Sequence, residues 1–124
     1  MSDKSRIKSQ DLEKVEKPWG YELIWARTEK YLGKFINIAP EKRMSLQYHK
    51  NKEETIYVMS GRLKIWESPD NDDKYILLGA GAVYHVKPGQ VHRFGATKIG
   101  AMICEVSTGE FDDVVRLHDD YDRK

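Results

Sequence analysis

The chain has one cysteine, Cys104, so no internal disulfide can brace it. In its apolar, strand-like setting (AMICEV) this thiol reads as a small packed side chain rather than a nucleophile, and a reducing cytoplasm is the expected compartment. No apolar run approaches the ~20 residues that a membrane-spanning helix needs. The opening stretch MSDKSRIKSQDLEK is polar and does not read as a signal peptide. An excess of charge of either sign is missing too: 21 basic residues face 20 acidic ones, for a net charge of +1. Long-range attraction to nucleic acid or to an anionic membrane is therefore not expected, and any anionic ligand must be held by a few placed cations. Long amphipathic helix patterns, internal repeats and low-complexity segments are also missing.

What is present is a succession of short β-type runs. They read YELIWA, YLGKFINIA, MSLQYH, TIYVMS, RLKIWE, KYILLG, AVYHVK, VHRFGA and AMICEV. Turn signals separate them at Ala39-Pro40-Glu41, Ser60-Gly61, Ser68 to Asp73, Gly79-Ala80-Gly81 and Pro88-Gly89. Many short strands at regular spacing predict an all-β sandwich or barrel, and 124 residues suit one domain with a single modest core. Residues 1–16 read as a polar arm and 17–124 as the domain. The acidic stretch from Phe111 to Tyr121 reads as a short helix or an arm over the barrel.

The segment SLQYHKNKEETIYVMSG carries the chemistry. Gln47 and His49 are two apart on a predicted strand, so alternation sets them side by side on one face, with Ser45 and Arg43 in the same parity. Glu54 opens the next strand, and His92 follows Pro88-Gly89 at the start of a later one. Imidazole, carboxylate and amide oxygen together suit one divalent metal, with zinc placed ahead of manganese, cobalt, nickel and iron. Three or four protein ligands and an open position describe a catalytic site rather than a closed structural one. Singly, each of these residues is more often a solvated or satisfied polar group. The joint string Q-x-H-x4-E, then Ser60-Gly61, then G-x6-P-G-x2-H is what gives the reading its force.

That string resembles the two motifs of the cupins, with Gln47 where the commonest pattern has His and Lys87 where it has Pro. The Gln variant resembles the cupin isomerase domain of mannose-6-phosphate isomerases, including the C-terminal domain of bifunctional mannose-6-phosphate isomerase/mannose-1-phosphate guanylyltransferases. The similarity runs from Val15 to Arg123 through VEKPWGYE, PEKRMSLQYHKNKEETIYVMSG, KPGQVHRF, EVSTGEF and DDVVRLHDDYDR. It implies a double-stranded β-helix, or jelly-roll, barrel, with Gln47, His49, Glu54 and His92 at the metal-ligand positions. It further implies that Arg116 lies near the sugar, and that Lys17 and Arg43 occupy basic substrate-binding positions. The nucleotidyltransferase half is not among these residues, so guanylyltransferase activity is not expected of them. The stretch between Gly109 and Asp112 is shorter than the pattern.

Aldose–ketose isomerisation moves a proton between adjacent carbons and develops charge on oxygen. A metal, a permanently charged arginine and a proton carrier would serve it. His85 is the first candidate carrier, provided it shares a cavity with His92, and Glu53 the second. Cations for a phosphate are Arg43, Lys42, Arg116 and Arg93, the last ranked below Arg43 because it should point opposite to His92. Lys30, Lys34, Lys50 and Lys52 read mostly as solvated surface. Tyr48 and Tyr57 read as interface residues of a homodimer. Alongside a sugar-phosphate isomerase stand an epimerase or isomerase acting on another activated sugar in polysaccharide synthesis, a sugar-binding module without catalysis and, more weakly, an iron oxygenase.

Overall fold

The computed structural model describes residues 12–109 and 113–123. Every regular element among them is a strand: β1 (Glu13–Lys17), β2 (Gly20–Arg27), β3 (Tyr31–Ile38), β4 (Leu46–His49), β5 (Glu54–Trp66), β6 (Ile76–Gly79), β7 (Val83–Val86), β8 (Arg93–Thr108) and β9 (Val114–His118). The all-β expectation holds. Residues 13–16, read as the end of the polar arm, pair with β2 in the register Glu13↔Ile24 to Glu16↔Tyr21; residues 1–11 of that arm lie outside the described residues. The C-terminal stretch contains a strand rather than a helix, because β9 supplies the ladder partner of β4.

Two long strands form the spine. Each joins two of the runs seen in the sequence: TIYVMS and RLKIWE are both β5, while VHRFGA and AMICEV are both β8. Ser60-Gly61 is therefore a bend within a strand and not a turn between two. The β5–β8 register slips between Val58 and Ser60 and again between Gly61 and Leu63. The buried face moves with it, from Ile56 and Val58 to Leu63 and Ile65. This is what bulges do: an added residue bends the strand and flips its side-chain parity. Gly61 lies at φ +80° and Gly100 at φ +75°. A Cβ on Gly61 would fall 2.1 Å from the Gly100 carbonyl oxygen, so the bend requires glycine there.

The bend divides the strands into two half-sheets. In one, β1, β2 and β3 lead to the second half of β8 and the first half of β5, with β7 beyond. In the other, β6 flanks the second half of β5 and the first half of β8, and the bridges Arg43↔Gly95 and Gln47↔His92 attach β4 with its partner β9. Trp19, Ile36, Ile38, Ile56, Val58, Leu63, Ile65, Val86, Phe94 and Ile103 form the core. A polar cavity replaces that core toward the β4–β9 ribbon.

Candidate metal centre and its cavity

A cavity of about 540 Å³ lies between the half-sheets. Glu22, Ile24, Leu32, Lys34, Glu54 and Glu105 line it from one side; Met44, Gln47, His49, His92, Phe94, Val114 and Arg116 line it from the other. Within the strands the inward residues alternate, as Glu22 with Ile24, Leu32 with Lys34 and Gln47 with His49.

His49, Glu54 and His92 meet here, with one potential ligand atom from each lying within 4.8 Å of the others. The Glu54 Oε2 atom is 3.3 Å from His49 Nε2 and 3.4 Å from His92 Nε2, and the two imidazole centroids are 5.6 Å apart. All three residues are buried. His92 Nδ1 lies 3.0 Å from the Gln90 carbonyl oxygen, which can only accept, so the ring proton sits on Nδ1 and the Nε2 lone pair faces inward. His92 Nε2 is buried with no hydrogen-bond partner. On His49, Nδ1 lies 3.2 Å from Asp113 Oδ1, which selects the same tautomer. Burial alone would raise the pKa of Glu54, but its contacts with His49, His92 and Glu105 and the charge of Lys52 outweigh this and hold it well below 4.5. Two imidazoles and a carboxylate therefore converge, each offering one atom toward a common point. That is the donor set of a divalent cation, and its two nitrogens and one oxygen suit zinc, manganese, iron, cobalt or nickel.

Gln47 is beside this cluster. Its Oε1 accepts from Ser45 Oγ at 2.5 Å, and its Nε2 lies 3.4 Å from His49 Nε2. A half-turn of the amide exchanges these atoms and brings oxygen to the cluster.

The cavity wall is cationic. Lys17, Arg27, Lys34, Lys52, Arg116 and Arg123 line it, six basic residues against the three carboxylates of Glu22, Glu54 and Glu105. Lys34 donates to Glu22 at 3.0 Å, Lys52 pairs with Glu105 at 2.9 Å, and two carboxylates outside the lining, Glu13 and Asp119, pair with Arg27 at 3.0 Å and Arg123 at 2.9 Å. Burial lowers the Lys17 pKa; Glu22 opposes the shift, while Lys34, Arg123 and Arg116 add to it, so four cations share one corner. Arg116 stands opposite Gln47 in the β4–β9 ladder.

Several sequence expectations change. Arg43 does not reach the cavity. Its Nε and Nη2 donate to Asp120 at 2.7 and 3.0 Å, Nη1 lies 3.5 Å from Asp72, and the guanidinium sits 5.5 Å from the Trp66 ring. The shared parity with Gln47 fails because the chain is irregular before β4: Met44, Gln47 and His49 all face the cavity, and the β4–β9 register shifts between Leu46 and Gln47. His85 does not share the cavity of His92 either. It lies on the outer face of β7, where its Nε2 meets Glu53 Oε2 at 2.5 Å, and both side chains are exposed. Lys42 is exposed. Arg93 points away from His92, as alternation requires, and its Nη2 lies 2.9 Å from His118 Nδ1 and 3.0 Å from the His118 carbonyl. Lys34 and Lys52 are not solvated surface but cavity residues, and Lys52 is only 5% exposed. Glu22, Glu105, Asp113 and Arg123 escaped the sequence reading. Parity with Ile103 offered a signal for Glu105; no local pattern marked Asp113.

Residues 4–119 match the family described as Mannose-6-phosphate isomerase C-terminal. The chain belongs to this family. Similar curated members include the alginate biosynthesis protein AlgA of Pseudomonas aeruginosa, 32% identical over 95% of this chain. Another is the mannose-1-phosphate guanylyltransferase of Escherichia coli, 34% identical over 88%. The chain spans about a quarter of the length of each, 24% and 23%. In shape it resembles KdgF from Halomonas sp. (TM-score 0.69, 13% identity, 86% of this chain and 98% of that one). It likewise resembles a variant of Bacillus subtilis oxalate decarboxylase (TM-score 0.73, 19% identity, 86% and 30%). These neighbours establish the cupin barrel, a double-stranded β-helix. No helix among the described residues is long and apolar enough to cross a membrane.

Proposed function

We propose that this cupin isomerises a phosphorylated sugar, interconverting mannose 6-phosphate and fructose 6-phosphate or a close relative, with one divalent metal held by His49, Glu54 and His92. Gln47 serves as fourth ligand after its amide turns. The observation that carries this reading is the joining, in one cavity, of a buried His–Glu–His cluster to a wall rich in basic residues. The metal supplies Lewis acidity where negative charge develops on substrate oxygen.

The chain's own groups do the rest. Arg116 and Lys17 hold the anionic end of the substrate, while Arg123 is already paired with Asp119 at 2.9 Å. Arginine keeps its charge and offers forked donors that match phosphate oxygens. Lys34 and Lys52 are already neutralised by Glu22 and Glu105, so they shape the wall rather than add free charge. Trp19, Phe94 and Met44 give the sugar an apolar floor and keep water away. The family's description, Mannose-6-phosphate isomerase C-terminal, and the mannose-1-phosphate guanylyltransferase relative support a sugar-phosphate ligand, and the names of AlgA and XanB support a setting in polysaccharide biosynthesis. The expected homodimer would use the outer sheet face, where Tyr57, Met59, Val83 and Val106 are 44–61% exposed; light scattering measures it.

A coupled assay on metal-loaded protein, run with zinc, manganese, cobalt and nickel in turn, should show hexose phosphate turnover. Clean loaded protein that turns over no hexose phosphate sinks the proposal. Thermal stabilisation by nucleotide sugars alone would point instead to an epimerase of activated sugars.

A further inference from the structure

Asp113 is the most connected side chain near the cluster that no catalytic reading uses. One oxygen, Oδ1, faces His49 Nδ1 at 3.2 Å. The other, Oδ2, accepts the backbone N–H groups of Asn51 and Lys52, each at 2.7 Å. Its backbone carbonyl accepts the Lys50 N–H at 3.3 Å. The residue is thus bound to the whole turn that leads from His49 to Glu54. Two oxygens fixed by separate donors leave the carboxylate no freedom to rotate away from the imidazole.

We propose that Asp113 is a positioning residue of the metal centre: it fixes the ring of His49, and the turn before Glu54, so that His49 Nε2 is unprotonated and aimed at the ion. The proposal rests on the metal reading above. Its chemistry is specific. A carboxylate beside Nδ1 accepts, so the ring proton stays on Nδ1, and an acceptor there also raises the donor strength of Nε2. His92 obtains the same service from a backbone carbonyl, which no side-chain substitution can remove. His49 alone depends on a replaceable group, and that group is the residue just before β9 rather than part of the motif.

Asp113→Asn tests this with shape preserved. The amide has one acceptor oxygen. When that oxygen satisfies the Asn51 and Lys52 N–H groups, the NH₂ faces His49 Nδ1 and drives the ring proton onto Nε2. Two readouts apply to the metal-free and zinc-titrated protein: the nitrogen shifts of the His49 ring by two-dimensional NMR, and zinc affinity by competition with a chromophoric chelator. The expected result is a change of His49 tautomer in the variant, an unchanged His92, and a 10–100-fold loss of zinc affinity. Asp113→Glu, which keeps an acceptor, should recover part of the affinity. Wild-type affinity and tautomer in a folded Asp113→Asn overturn the proposal. Wild-type protein that binds no divalent ion overturns the metal reading itself, which separates the two failures. Should Asp113→Asn not fold, Asp113→Ala decides: a loss of the Nδ1-protonated His49 tautomer with at least about tenfold weaker zinc binding supports the role, and wild-type tautomer and affinity refute it.

Discussion

The pair Lys52–Glu105 offers a measurement of how much the cavity's charges matter to the fold. Lys52 is 5% exposed and Glu105 2%, with their charged atoms 2.9 Å apart. At an effective dielectric near 20, two unit charges at this distance attract by about 6 kcal/mol before desolvation is subtracted. Replacing Lys52 by Met leaves the carboxylate buried, with Ser107 Oγ at 2.8 Å as its remaining close donor. Breaking a buried pair in this way costs about 3–5 kcal/mol. Glu105 has an escape, since burial first and then the charge of Glu54 already raise its pKa, with Lys34 and Lys52 holding it down. Without Lys52 it takes up a proton more readily. A carboxyl whose folded pKa is raised contributes stability at low pH and loses it as pH rises, so the deficit of Lys52→Met should be larger at pH 8 than at pH 5. Urea denaturation of the metal-free protein at both pH values measures this. Lys52→Met/Glu105→Gln should recover most of the loss, since both charges leave together. A single variant within about 1 kcal/mol of wild type at pH 8, or a double variant worse than the single, refutes the argument.

His92→Ala should remove an inward lone pair and abolish stoichiometric zinc, read by elemental analysis after dialysis; unchanged metal content would show the ligand assignment to be wrong. Arg116→Ala should keep the metal and raise KM for a sugar phosphate more than it lowers kcat, and a loss of metal would assign the residue a different role. Glu54, Asp113, Asp119 and Asp120 are all held below their ordinary values of 4.5 and 3.8. Burial opposes this in Glu54 and Asp113, whereas the hydrogen bonds of Arg123 and Arg43 lead in Asp119 and Asp120. A lowered folded pKa contributes stability above the ordinary value and loses it below, so chemical denaturation should show stability nearly level between pH 7 and 5 and falling below pH 4.5. Stability that did not fall below pH 4.5 would contradict these contacts.

Alternation made the strands legible, and it placed Gln47 beside His49 without any knowledge of the fold. It failed where the chain inserts a residue. Arg43 and His49 share odd numbers, yet the irregular backbone before β4 turns Arg43 toward Asp120 and Asp72. The Ser60-Gly61 pair looked like a turn between two runs because glycine marks turns and bulges alike; only the partner strand, with Gly100 against it, decides between them. Lys52 looked solvated because its neutralising partner is 53 residues away in β8. The strand at Val114–His118 was hidden for the same reason, since five residues of mixed polarity form a strand only because β4 presents a free edge. Local pattern thus reached the residues His49, Glu54 and His92 that meet in the cavity. The wall around them depends on register, which no window of sequence contains.

The pairing of β4 with β9 also orders events in time. A ribosome delivers Gln47 and His49 long before it delivers Val114 and Arg116, and until then the strand bearing them has no ladder to lie against. The nascent protein can bury Ile56 and Ile103 while its ion-binding end still gapes. Any loading with metal would therefore come late, and a chain stalled short of residue 113 would lack both the partner of β4 and the carboxylate that faces His49.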